Sequence, residues 1–210
     1  MSNLEEVRKF AEEKQDEIIP QENFATSLSN EIIAHSQKDD IEKMELLLTE
    51  LKDLLVKFPK SKHIQKTYGS TLLNILPVFF AHATQTDVKN KINSLRELAI
   101  EFESMTLMEI LAMILVNAIY DFSLINKAGS IQEFSLELSD LSRKYPKNDT
   151  IQIAGAKGMV NSTMFFVQNN DLHAAKKHYR ILQRILESNP DKEMVDSFQL
   201  IQLGKYFEDK

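Results

Sequence analysis

Apolar residues recur at helical spacing along most of this chain, and the clearest stretch is residues 41–58. There Ile41, Met44, Leu47, Leu48, Leu51, Leu54, Leu55 and Phe58 advance by three or four and fall on one face of a helix. Pro59 ends it. The same reading predicts helices over 3–19 (Leu4, Val7, Phe10, Ala11, Ile18), 23–37 (Phe24, Leu28, Ile32, Ile33), 61–83, 84–102, 105–126, 130–145, 149–168, 171–187 and 192–207. Breaks are marked by Pro20, Asp39-Asp40, Gly129, Asn169-Asn170 and Pro190, and Thr84 with Asp87 has the spacing of a capping box. Pro77 lies inside a predicted helix and is expected to bend or divide it.

These helices repeat. Leu51, Asp53, Leu54, Lys57, Pro59, Lys60, Ile64, Gln65 and Asn74 match Leu138, Asp140, Leu141, Lys144, Pro146, Lys147, Ile151, Gln152 and Asn161 at a spacing of 87 residues. A weaker copy, with Leu95, Leu98, Phe102, Leu107 and Asn117, falls 43 or 44 residues after the first. A period of this size means helix pairs that bury their apolar faces against one another. The expected fold is all-α, a right-handed α-α superhelix of about four antiparallel helix pairs. Its units are 20–58, 59–102, 103–145 and 146–189, with terminal caps at 1–19 and 190–210. No linker or low-complexity tract interrupts the phase, so a single domain is expected over 1–210.

Composition narrows the reading in a few places. The absence of Trp and only 5 Gly and 5 Pro in 210 residues favour helices, and 43% hydrophobic content is enough for a core. A formal charge of −6 disfavours DNA, whose binding needs clustered cations. With no Cys there is no disulfide or thiolate chemistry. Residues 1–19 lack the apolar core of a signal peptide, and the most apolar stretch, 105–125, is interrupted by Glu109 and Asp121. A cytoplasmic protein without a membrane-inserted segment is expected.

Asn170, Asp171, Leu172, Ala175, Tyr179, Leu182 and Pro190 resemble the second half of a tetratricopeptide repeat, and Leu203-Gly204 resembles the small-residue slot of the next helix. The period here is about ten residues longer than in that family, and the first three pairs lack its turn glycine. The resemblance implies protein or peptide binding in a concave groove lined by the leading helix of each pair, without catalysis.

One polar residue keeps the phase. Asn30, Asn74, Asn117 and Asn161 recur at spacings of 44, 43 and 44, one in each leading helix. Apolar residues two positions before and after, such as Leu72 and Leu76, lie about 160° round the helix, so each Asn faces away from its own core. Its neighbours are small or polar in three copies, among them Thr26, Thr67, Thr71, Lys157 and Gly158. An amide offers donors and an acceptor to the backbone of an extended peptide. Similar ladders occur in armadillo and tetratricopeptide superhelices, and the resemblance implies that Asn30, Asn74, Asn117, Asn161, Thr67, Thr71 and Lys157 contact a peptide. The competing reading is structural: the amides bond across adjacent leading helices and the small residues allow close packing. In the third copy Ile110, Met113 and Ile114 stand beside Asn117, which fits an apolar pocket or a homodimer patch.

The remaining signals are weaker. His173 and His178 are five apart and do not share a helix face, so surface or capping histidines are expected in place of a metal site. Gly155 and Gly158 follow no strand and precede no Gly-Lys-Ser/Thr, which makes them packing glycines. The methionines of 105–164 read as core. Lys57, Lys60 and Lys62, and Lys176, Lys177, Arg180 and Arg184, form basic patches that solvated helix faces explain. No nucleophile, base and oxyanion set assembles. The expected function is a non-catalytic adaptor or scaffold with no cofactor. A self-assembly module is the alternative, and helical-repeat RNA binding is a weaker one.

Overall fold

The computed structural model describes residues 3–208, and these form ten α-helices with no strand. In chain order they are α1 (Asn3–Glu13), α2 (Ile18–Ser36), α3 (Ile41–Lys57), α4 (Lys62–His82), α5 (Gln85–Glu101), α6 (Met105–Leu124), α7 (Ala128–Lys144), α8 (Asp149–Gln168), α9 (Leu172–Glu187) and α10 (Ser197–Glu208). The all-α expectation holds. The ends of the terminal caps, 1–2 and 209–210, lie outside the described residues.

Three breaks behave differently from expectation, and the helix that contains Pro77 is not divided. Pro20 does not separate two helices but sits in the first turn of α2, where a missing N–H costs nothing because it has no carbonyl partner within the helix. Gly129 likewise lies within the first turn of α7. Pro77 does not divide α4, which continues to His82. It is exposed, and it leaves the Leu73 carbonyl without its usual helical donor. Pro190 does not start a helix directly, since helical structure resumes only at Ser197.

Several starts follow from side-chain caps. Asp40, Ser61, Asn148 and Asp171 accept from backbone N–H groups at the starts of α3, α4, α8 and α9, and Thr84 and Asp87 complete the capping box of α5. Several ends share one device that uses no glycine. Asp39, Glu103, Asn126 and Asn170 take positive φ of 53, 48, 55 and 58°. Each following N–H then reaches back five residues to a carbonyl, as from Asp40 to His35 and from Asp171 to Phe166, at 3.2 and 2.9 Å. This is the Schellman closure, in which a left-handed residue reverses the chain and satisfies a terminal carbonyl.

The chain forms two compact units, Met1–Leu111 and Ala112–Lys210. In the first, α2 packs against α1, α3 and α4, and α4 against α3 and α5. Its core includes Leu28, Ile32, Met44, Leu51, Leu55, Ile64, Leu72, Ile75 and Phe79, all fully buried. Gly69 admits Ile110: a Cβ there would stand 2.6 Å from its Cδ1. In the second unit, α8 packs against α7 and α9. Phe122 and Phe134 pack with ring centres 5.6 Å apart. Gly155 and Gly158 are packing glycines, since a Cβ would meet Ser142 Oγ at the first and Leu138 Cδ1 at the second. Despite its two carboxylates, α6 has the length and apolar composition of a membrane-crossing helix, with mean hydropathy 1.7, and 56% of that window is buried within the protein.

Candidate functional site

The candidate site lies between α2 and α4 of the first unit. Both bury their larger apolar side chains, Phe24, Leu28 and Ile32 on α2 and Ile64, Tyr68, Leu72 and Ile75 on α4. Hydroxyl residues are left where the helices face each other. The Thr71 and Ser29 hydroxyls hydrogen-bond at 2.6 Å, and Thr71 also donates to the Thr67 carbonyl at 2.7 Å. One turn nearer the helix starts, Thr26 Oγ1 and His63 Nε2 are 2.9 Å apart. Above these contacts lies a depression of about 340 Å³ lined by Thr26, Ser29, His63, Lys66, Thr67, Ser70, Thr71 and Asn74. No carboxylate lines it.

The residues expected to bind are distributed unevenly. Asn74 and Thr67 line this groove, with Asn74 exposed and Thr67 half-buried. Thr71 also lines it but is fully buried, its hydroxyl engaged by Ser29 and Thr67. Its part is to hold α2 against α4. Asn30 is exposed on α2, one turn beyond Thr26. In the second unit Asn117 is exposed on α6, Lys157 is exposed on α8 and Asn161 is half-buried there. No other side chain bonds to any of the four asparagine amides among the described residues. Hydroxyl and imidazole contacts, rather than amides, tie the leading helices of the first unit together.

A second periodic polar residue is structural. Gln65 and Gln152 occupy matching positions in the repeat, and Gln21 stands 44 residues before Gln65; all three are buried. Gln152 Nε2 donates to the carbonyls of Ser142 (2.7 Å) and Tyr145 (3.1 Å), and its Oε1 accepts from Asn189 Nδ2 at 3.1 Å. Gln65 Nε2 donates to the Pro59 carbonyl at 2.6 Å while Ser104 Oγ donates to its Oε1 at 2.7 Å. Gln21 Nε2 donates to the carbonyls of Ala11 and Lys14 at 2.8 and 3.1 Å. Each Gln therefore clasps the end of the preceding helix, and the later two also hold the residue that follows the next trailing helix. The 87-residue match contained this pair; only burial and partners show what it does.

His178 is neither a surface nor a capping histidine. It is fully buried on α9, in register with Ala175, Ile181, Leu182 and Ile185, and meets the Phe166 ring edge-on at 5.0 Å. Among the described residues neither ring nitrogen has a partner. Burial, with a smaller contribution from Lys177, pushes its pKa down to about 4, so the imidazole is neutral at pH 7.

The groove thus offers hydroxyls, one imidazole, one ammonium group and one amide, a set that binds polar chains. Among the described residues no three His, Asp or Glu side chains converge on a common point. No protein-family model, curated protein or solved structure matches this chain.

Proposed function

We propose that the protein is a non-catalytic adaptor of the tetratricopeptide-like α-solenoid class, binding an extended peptide segment of a protein partner along its leading helices. The observation that supports this most is the α2/α4 groove, where Asn74 presents an amide with no protein partner above a floor of mutually bonded hydroxyls. A bound main chain supplies the carbonyls and N–H groups that such an amide matches. Because Asn74 and Asn161 are not enclosed in the core, replacing both with Ala leaves the melting temperature within about 2 °C, in keeping with the small effects of exposed substitutions. Partner capture falls in the same variant. A large loss of stability with capture intact would overturn this reading.

Self-association is the second reading. Ile110 and Ile114, expected beside Asn117 as an apolar patch, are buried, so this reading rests on Tyr120, Leu124 and Ile125, exposed large apolar residues at and just past the end of α6. Sedimentation at increasing concentration separates the two, because a strict monomer excludes the second.

A further inference from the structure

The groove extends toward the start of α4, and there the charge distribution departs from the rest of the chain. Residues 54–86 contain no Asp or Glu, although the protein carries 31 acidic residues and is net acidic. The same stretch holds Lys57, Lys60, Lys62 and Lys66. A second depression, of about 580 Å³, lies beside α4's first residues and is lined by Ile18, Glu22, Lys57, Phe58, Pro59, Lys60, Ser61 and Lys62. It adjoins the first along both helices. Glu22 and Thr26 are one turn apart on α2, joined by a 3.0 Å bond from Thr26 Oγ1 to the Glu22 carbonyl, and Lys62 and Lys66 are one turn apart on α4. Glu22, the one carboxylate lining either depression, already accepts from Ser61 Oγ at 2.7 Å. Lys60, Lys62 and Lys66 have no ion-pair partner among the described residues, whereas Arg8 and Lys91 of the same unit pair with Glu50 and Glu45.

Two independent points show that the scaffold does not require Lys62 and Lys66, whereas Lys60 is kept as Lys147 in the matching copy. A helix start carries partial positive charge, so Lys62, exposed in the first turn of α4 with no acidic residue there, is unfavourably placed. The repeat supplies an internal control. At the positions 87 residues on, α8 has Asp149 and Ile153 where α4 has Lys62 and Lys66. Asp149 is the residue type a helix start favours, and it pairs with Lys192 at 2.6 Å. The two copies keep Lys57/Lys144, Pro59/Pro146, Gln65/Gln152 and Asn74/Asn161, yet differ at these two positions.

We infer that the α2/α4 groove takes an extended acidic segment, with its carboxylates against Lys60, Lys62 and Lys66 and its main chain against Thr67, Ser70 and Asn74. The inference rests on the adaptor reading and assigns it a partner chemistry. From Lys62 to Asn74 the helix rises about 18 Å, the length of five or six extended residues. The cationic end fixes the direction of the chain, and the hydroxyl and amide end accepts backbone without selecting side chains.

The test is selection from a random twelve-residue peptide library displayed on phage, using the whole protein as bait. It is run beside Asn74→Ala and beside Lys62→Asp/Lys66→Gln, the second having the charge change that α8 shows is tolerated. Circular dichroism and melting confirm that both variants fold. The expected result is a pool enriched at least twofold in Asp and Glu, with a synthetic consensus peptide binding at least tenfold more weakly to the lysine variant and losing affinity as salt rises. A pool without acidic bias that still depends on Asn74 overturns this inference while the adaptor reading stands. A pool indifferent to both variants, or no enrichment, overturns both. Tighter binding of a single-stranded oligouridylate than of any selected peptide, lost in the lysine variant, overturns the peptide assignment in favour of RNA.

Discussion

The Gln152 clasp gives the sharpest test of how the repeats are held. In Gln152→Ala, the Ser142 and Tyr145 carbonyls and one N–H of Asn189 lose their partner together, in a place where Gln152 and Asn189 are 2 and 6% exposed. At a net value of about 1 kcal/mol for each hydrogen bond the loss is about 3 kcal/mol. The buried side-chain methylene adds about 0.8 kcal/mol. The total is near 4 kcal/mol, or roughly a 10 °C fall in melting temperature for a chain of this size. Urea unfolding followed by circular dichroism at 222 nm reads it directly, with the exposed Gln168→Ala as control. The twin substitution Gln65→Ala removes fewer contacts, the bond to Pro59 and the one from Ser104, and is expected to cost about 2 to 3 kcal/mol. A Gln152→Ala loss below 1 kcal/mol, or one no larger than that of Gln168→Ala, would show that the clasp decorates a junction held by apolar packing.

Two further predictions concern single residues. His178 is neutral and buried in the folded chain, with its pKa lowered to about 4, whereas the unfolded imidazole titrates near 6.5. A histidine depressed on folding contributes its full stability above pH 6.5 and loses it as pH falls toward 4, by about 3 kcal/mol in all. Unfolding midpoints between pH 7.5 and 4 should show this slope, and His178→Leu should flatten it while raising stability at pH 7, because no unpaired ring nitrogen is then buried; equal slopes in both proteins would refute the assignment. Glu103 holds a φ of 48° that a side chain disfavours, so Glu103→Gly should stabilise by about 0.5 to 1 kcal/mol in the same urea assay.

Helices were legible because their apolar spacing and their caps are local: Thr84 and Asp87, Ser61, Asn148 and Asp171 sit next to what they bond. Residues 192–196 were misread as helix and 20–22 as a break because a proline was taken as a boundary, when its effect depends on whether its N–H would have been used at all. The turns at Asp39 and Asn126 carried no glycine to mark them, and their left-handed backbone became visible only through the bonds each following N–H makes.

At the site the difficulty was of another kind. Periodicity selects the positions that matter in every copy, but it does not distinguish the reason. The Asn ladder and the Gln series keep the same phase, yet Gln21, Gln65 and Gln152 are enclosed and hydrogen-bonded to protein groups while Asn30, Asn74 and Asn117 are exposed and without a side-chain partner among the described residues. The third copy supports the distinction. Met108 occupies the Gln position 43 residues after Gln65 and is buried without an amide, so apolar contact can substitute there for a clasp. No apolar residue replaces any member of the Asn series. What a repeat holds constant on the inside can be traded for another way of filling space. What it holds constant on the outside, or changes in one copy only, as at Lys62 and Lys66, is not explained by packing, and that is why the proposed acidic segment is assigned there.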